Sequence, residues 1–299
     1  MNKEQNQMSG YIDAILYVML ASIAFVFLDN LCNGVEPLTA LFIMSGIAIF
    51  CFNILCLKHL KTVYDAVLQN PSLFLLMSTA LGLDWLCMIY ATYLSDPFIT
   101  MTSLFISSAF LGFVSLYRKS GTTSYCWSML ILVCSLLILF FKYEIHKPGN
   151  TLYGILLGVL AGLAFYVYML TSERLSNRAK LTSIQVLATR FWVLFIGSSL
   201  FIHPAVLYIA LKDNALPLVA VSIGSLVIPI FFNQQAIRKL GTATASVIIS
   251  LVPITTYLIY ALWTGNLVFT NLLIGLVITL ALALPKIISI HSKNISVTL

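Results

Sequence analysis

Ten apolar stretches, each long enough to cross a bilayer, take up most of this chain, at residues 11–28, 37–57, 73–93, 98–116, 125–141, 152–170, 184–202, 216–234, 243–262 and 269–288. A helix needs about 20 mostly apolar residues to cross a hydrocarbon core about 30 Å thick. Inside that core the backbone must satisfy its own polar groups, and a run of this length does so as a helix. Sixty per cent of the residues are apolar and only 9% are charged, which leaves no material for a soluble domain of any size. The sequence predicts an all-α polytopic membrane protein with ten transmembrane helices.

Loop charge sets the expected orientation. With a cytoplasmic N-terminus, the inner side receives twelve cations: Lys3, Lys58, Lys61, Arg118, Lys119, Arg174, Arg178, Lys180, Arg238, Lys239, Lys286 and Lys293. The outer side receives three, Lys142, Lys147 and Lys212, and Arg190 lies within a span. Lys and Arg in short loops resist translocation, so both termini are expected in the cytoplasm. The net charge of +6 follows from that topology and needs no nucleic-acid partner; basic loops suit anionic headgroups. The first stretch has no basic run before it and no clear cleavage site after it, so it reads as a retained span. The longest loops, around 58–72 and 203–215, are too short to hold a domain.

Covalent catalysis has no support in the sequence. Cys32, Cys51, Cys56, Cys87, Cys126 and Cys134 lie in spans or at their edges, without CxxC spacing or a neighbouring His, so neither a disulfide framework nor a zinc site is expected. His59, His146, His203 and His291 sit at span ends or in loops. There is no HExxH, P-loop or dinucleotide fingerprint. The expectation is a protein that is not an enzyme and holds no cofactor or metal.

Displacing the chain on itself by 145 residues lays spans 1–5 on spans 6–10. Tyr90–Thr92 then falls on Gln235–Ile237, and Phe105–Ser108 falls on Ser250–Pro253. Identity is low, so hydropathy and loop register carry the match. The repeat divides the chain into halves at 1–145 and 146–299. Five helices is an odd number, so the second half sits inverted relative to the first, a construction typical of secondary transporters.

Ten spans, two inverted halves and cytoplasmic ends resemble the drug/metabolite transporter superfamily, specifically its EamA-type members. The run Thr242-Ala243-Thr244-Ala245-Ser246-Val247, followed by Ser250-Leu251-Val252-Pro253, resembles that family's small-residue stretch leading to a proline-centred kink. Gly154, Gly158 and Gly162 resemble the Gly-rich start of its second repeat. Two features depart from the pattern. Where the family commonly has Leu-Gly-Glu, this chain reads Leu116-Tyr117-Arg118 and Leu262-Trp263-Thr264. The family's frequent Arg in the second helix of each repeat is present as Arg190, but its counterpart is Ser45. The resemblance implies a small-molecule transporter working by alternating access, and a structural or gating role for Arg190.

Polar residues within the spans mark the candidate site. Asp84 lies about eleven residues into span 3, or ~17 Å deep, where a carboxylate costs at least ~2.5–3.5 kcal/mol on insertion scales. Such a group pairs with a cationic part of a solute, exchanges a proton, or stays neutral and hydrogen-bonded to a neighbouring helix. Trp85 borders its face and suits an ammonium group, although packing explains it as well. Arg190 either binds an anionic group or snorkels to the inner headgroups, and snorkelling is the favoured expectation.

Thr242, Ser246, Ser250, Pro253, Tyr257 and Tyr260 share one narrow face of span 9, which reads as cavity lining. Span 4 presents Thr100, Ser103 and Ser107 on one face, with Ser108 beside it. Pro229 and Pro253 remove backbone hydrogen bonds and bend spans 8 and 9. Gly154, Gly158 and Gly162 allow close approach of another helix. Tyr166 and Tyr168 lie at a depth that reaches solute, and Asn233, Gln234 and Gln235 close span 8 as gate or interface. The expected substrate-binding set is Asp84, Trp85, Ser107, Tyr166, Asn233, Ser250 and Tyr257, with Arg190, Pro229 and Pro253 structural or gating.

These readings combine into a secondary active transporter of the cell (inner) membrane. Its expected solute is a small organic metabolite carrying positive charge: an amino acid, a quaternary amine, or a charged metabolite such as S-adenosylmethionine. The expected partners are that solute, a coupling proton or other ion, membrane lipid, and a second copy of the chain in a homodimer. The alternative is a non-transporting membrane protein such as a channel or accessory subunit, and a channel would call for a continuous polar pore.

Overall fold

The computed structural model describes residues 3–32, 34–117 and 150–280, together with Val133 and Ser135. These are helical almost throughout, with no strand among them. The helices are α1 (Lys3–Cys32), α2 (Pro37–Leu55), α3 (Leu60–Gln69), α4 (Pro71–Leu94), α5 (Pro97–Tyr117), α6 (Thr151–Ala179), α7 (Ser183–Arg190), α8 (Trp192–Ser199), α9 (Pro204–Ser222), α10 (Ile228–Leu240), α11 (Thr242–Ile249) and α12 (Val252–Thr264). A thirteenth, α13, covers Phe269–Leu280. The predicted span at 125–141 lies outside the described residues but for Val133 and Ser135, as do Arg118, Lys119, Lys142, Lys147, Lys286, Lys293, Cys126, Cys134, His146 and His291.

Proline sets many of the starts. Pro37, Pro71 and Pro204 open α2, α4 and α9 within the first turn, where a missing N–H costs no helical hydrogen bond. Glu36 caps α2, accepting from the Leu38 and Thr39 amides at 3.1 and 2.7 Å. Thr182 and Gln185 form a reciprocal capping box at the start of α7, which satisfies two otherwise unpaired backbone donors. Gly241 and Gly265 take positive φ at the ends of α10 and α12, a conformation glycine adopts without a Cβ clash.

Two expectations about loops are corrected. The segment expected as a loop at 58–72 contains α3, whose Val63 and Val67 are buried. The segment at 203–215 is the first part of α9, which runs on through the membrane-length stretch Pro204–Leu240. Asn214 leaves helical geometry three residues before Pro217, because the proline ring crowds the preceding turn. Spans 7, 8 and 9 are also interrupted: at Phe191 between α7 and α8, by a π-turn at Ile223–Val227 before Pro229, and at Ser250–Leu251 before Pro253. At the last two sites the interruption sits just ahead of a proline, which supplies no N–H to hold the preceding turn.

Six of these stretches are long and apolar enough to cross a membrane: Gln5–Cys32, Pro37–Leu55, Pro71–Leu94, Thr151–Ala179, Pro204–Leu240 and Thr244–Thr264. Large apolar side chains on the outside include Phe50, Leu200, Leu216 and Leu262, each at least two-thirds exposed. A soluble monomer rarely shows so much apolar surface, and a bilayer covers it. The fold is all-α and membrane-embedded in character.

Inside, α6 packs against both α4 and α5, and α1 against α10, α11 and α12. A Cβ on Gly158 or Gly162 would collide with Ser103 or with Ser107 and the Leu104 carbonyl. The tandem small-residue motif thus brings α6 against α5 within one chain.

A charged cavity between the helices

Asp84 lies 13 residues from the start of α4 and 10 from its end, so at ~1.5 Å per residue it is some 15–20 Å from either. Its side chain is 4% exposed. It faces a narrow cavity of about 30 Å³. Tyr17, Ala21 and Phe25 come from α1, Leu81, Trp85 and Met88 from α4, and Met101, Leu104 and Phe105 from α5. Phe165 and Tyr168 (α6), Arg190 (α7), Ser225 in the π-turn, and Ile230 and Asn233 (α10) complete the wall. As it stands the space takes about two waters and no larger solute. An organic molecule would fit only if the helices separated.

Arg190 is fully buried. The expectation that it snorkels to the headgroups is corrected: the last residue of α7 points inward, where α7 packs on α2 and α4. Its guanidinium carbon lies 4.7 Å from the Phe191 ring centroid and 5.2 Å from that of Tyr168, near enough for cation–π attraction. Nη1 donates a hydrogen bond to the Tyr168 hydroxyl. That hydroxyl donates to Gln234 Oε1 at 3.2 Å, which also accepts from Ser172 at 3.1 Å. The polar chain runs from the cavity to Gln234, midway along α10.

Charge satisfaction is incomplete around the cavity. Asp84 Oδ1, Arg190 Nε and Nη2, and Asn233 Oδ1 are buried without a hydrogen-bond partner. No ion pair joins Asp84 to Arg190, although their charges act on each other and on Tyr17 across the space. Buried polar atoms left unpaired cost of order 1–3 kcal/mol each, more when charged. The lining is otherwise apolar and aromatic.

Among the residues expected to bind substrate, Asp84, Trp85 and Asn233 meet at this cavity. Tyr166 lies in a smaller crevice with Ser108, Met169 and Ser246. Ser107, Ser250 and Tyr257 lie elsewhere, a departure from the expected common site. Ser107 is pressed between α5 and Gly162 of α6, donating to the Ser103 and Leu104 carbonyls at 3.0 and 2.9 Å. Ser250 donates to Val247 at the break between α11 and α12. Tyr257 packs on Phe98, and its hydroxyl both donates to and accepts from the Val268 backbone at 2.7 and 3.0 Å. The span 9 face, expected to line the cavity, does not reach it: Thr242, Ser250, Pro253, Tyr257 and Tyr260 are buried, and Ser246 is half-buried in the crevice beside Tyr166. Pro229 and Pro253 are buried next to the two breaks. Sequence reading missed Tyr17, Phe25 and Met101; the only signal for the α1 pair was Tyr17, Ala21 and Phe25 at i+4 spacing.

Polar contacts tie the helices together at one end of the bundle. Lys239 Nζ reaches Asp13 at 2.5 Å and Ser9 at 2.8 Å, Thr242 bonds Glu173, and Ser183 donates to Gln235 at 3.3 Å. These contacts join α1, α6, α7, α10 and α11 at the end where α1 begins.

No family profile and no curated protein matches the chain. Fourteen chains of known structure are similar. One, described only as "Crystal structure of protein", has a TM-score of 0.66 at 14% identity, covering 98% of this chain and 100% of its own. That likeness establishes a shared fold and nothing further.

Proposed function

We propose that the chain is a secondary transporter of a small organic solute with a positively charged group, working by alternating access at the central cavity. The observation that carries this reading is the buried Asp84 oxygen left without a hydrogen-bond partner, facing a narrow, aromatic-lined space far from both ends of its helix. A mid-membrane ionisable group facing a cavity is expensive and marks a solute or ion pathway. Asp84 and the Asn233 oxygen offer acceptors to an ammonium group, and the Trp85 ring adds cation–π attraction. The ties between α1 and the later helices then act as one closed gate.

Ten spans in two inverted halves, and membership of the EamA-type drug/metabolite transporters, belong to the same proposal. Helix starts support the repeat: displaced by 145 residues, Pro37 and Pro97 fall on Thr182 and Thr242, where α7 is capped and α11 opens. The broken helices α7/α8 and α11/α12 are the kind of element that lines transporter sites. The proposed location is a cell membrane, the inner one where there are two, with the Lys239–Asp13 end cytoplasmic.

Thermal-shift screening of the purified protein against metabolite classes tests the reading. A ligand at 100 times its Kd stabilises the folded state by about 2.7 kcal/mol. Amphipathic cations and zwitterions should raise the melting midpoint. If no class of organic metabolite does so, the transporter reading fails.

A further inference from the structure

The same cavity holds a second charge, which the cation reading leaves unused. Arg190 contributes a fully buried guanidinium to the wall, opposite in sign to Asp84. Had the two groups evolved to neutralise each other, direct contact would be the low-energy arrangement, because a buried ion pair offsets desolvation only in close, hydrogen-bonded geometry. They make no such contact, and each keeps buried polar atoms without a partner: Oδ1 on Asp84, Nε and Nη2 on Arg190. Tyr168 occupies only Nη1. The edge of the guanidinium carrying Nε and one terminal nitrogen suits the two oxygens of a carboxylate, since Arg–carboxylate pairs are commonly bidentate.

We propose, resting on the transporter reading above, that the solute is a zwitterion. Its ammonium group is taken by Asp84 and Asn233, its carboxylate by Arg190, and its apolar body by the Trp85, Phe105 and Phe165 walls. Such a solute fills both unpaired charges at once and leaves the occupied cavity neutral. A simple amine satisfies Asp84 and leaves Arg190 buried and unpaired; a simple acid does the reverse. Truncating a ligand so that a buried charged group loses its partner is heavily penalised, which makes the cavity selective for solutes bearing both charges.

Matched probes test this on the intact protein in detergent. L-phenylalanine is compared with phenethylamine and 3-phenylpropionate, and L-leucine with 3-methylbutylamine and 4-methylpentanoate, by thermal shift and equilibrium binding. At least one amino acid is expected to bind about tenfold or more tighter than its own amine and its own acid. Arg190→Gln should abolish that preference over the amine while leaving amine binding measurable. Asp84→Asn should abolish the preference over the acid. If Arg190→Gln fails to fold, the wild-type comparison decides alone. If neither amino acid binds tighter than its own amine, the zwitterion assignment is overturned and the cation transporter is left standing. Absence of binding by all six overturns it too, and the broader metabolite screen then judges the transporter reading separately.

Discussion

Asp84 and Arg190 are two buried charges whose positions in the sequence carry unequal information. Asp84 is legible because eleven mostly apolar residues of its span precede it, and no loop lies near enough for it to reach water. Arg190 is not: seven residues from a span end, its long stem could reach the interface, and only the packing of α7 on α2 and α4 turns it inward. Replacing Asp84 by Asn keeps size and hydrogen bonding while deleting the charge. Concentrative transport should be abolished with expression and folding nearly intact. Retained exchange across equilibrated membranes assigns the carboxylate to a proton, and lost binding assigns it to the solute. Wild-type transport with unchanged pH dependence would sink both roles. Tyr168→Phe should lower stability by about 1–3 kcal/mol, since it strips partners from buried Arg190 and Gln234. An unchanged melting midpoint would mean that the polar chain contributes nothing to the fold.

Most helix starts are legible in the sequence, because prolines, caps and apolar length act locally; α3 and the first part of α9, polar enough to pass for loops, are not. The breaks are half legible: Pro229 and Pro253 announce bends, but the form each takes, a π-turn or an interrupted helix, depends on neighbours. Hydroxyl faces are read least well. Ser107 and Tyr257 have the periodicity of a cavity face, yet the same spacing serves α5–α6 packing and a Tyr–backbone clasp, and only the partner helix decides between them. Close packing at the α5–α6 seam yields a direct contrast. Gly162→Ala drives a Cβ into the Leu104 carbonyl and should cost about 1–3 kcal/mol as overpacking. Gly197→Ala, where nothing lies within 4 Å, should be neutral or stabilising by up to ~1 kcal/mol. Equal melting midpoints for the two variants would contradict the close approach of the helices.

For the whole molecule, the apolar exterior and the six membrane-length helices follow from composition, whereas the cavity arises only when six helices converge. Under the proposed topology, an epitope inserted at Lys180 is protected in intact cells and one at Asn266 is accessible. The reverse pattern would undo the assignment of the Lys239–Asp13 end to the cytoplasm. Alternating access itself is tested most directly by counterflow in proteoliposomes loaded with an excess of unlabelled solute, with the tightest-binding matched probe supplied outside in labelled form. An exchanger must return loaded or not at all, so label should overshoot its equilibrium level and then decay. Smooth equilibration without an overshoot, or no uptake of any probe, would contradict alternating access at this cavity.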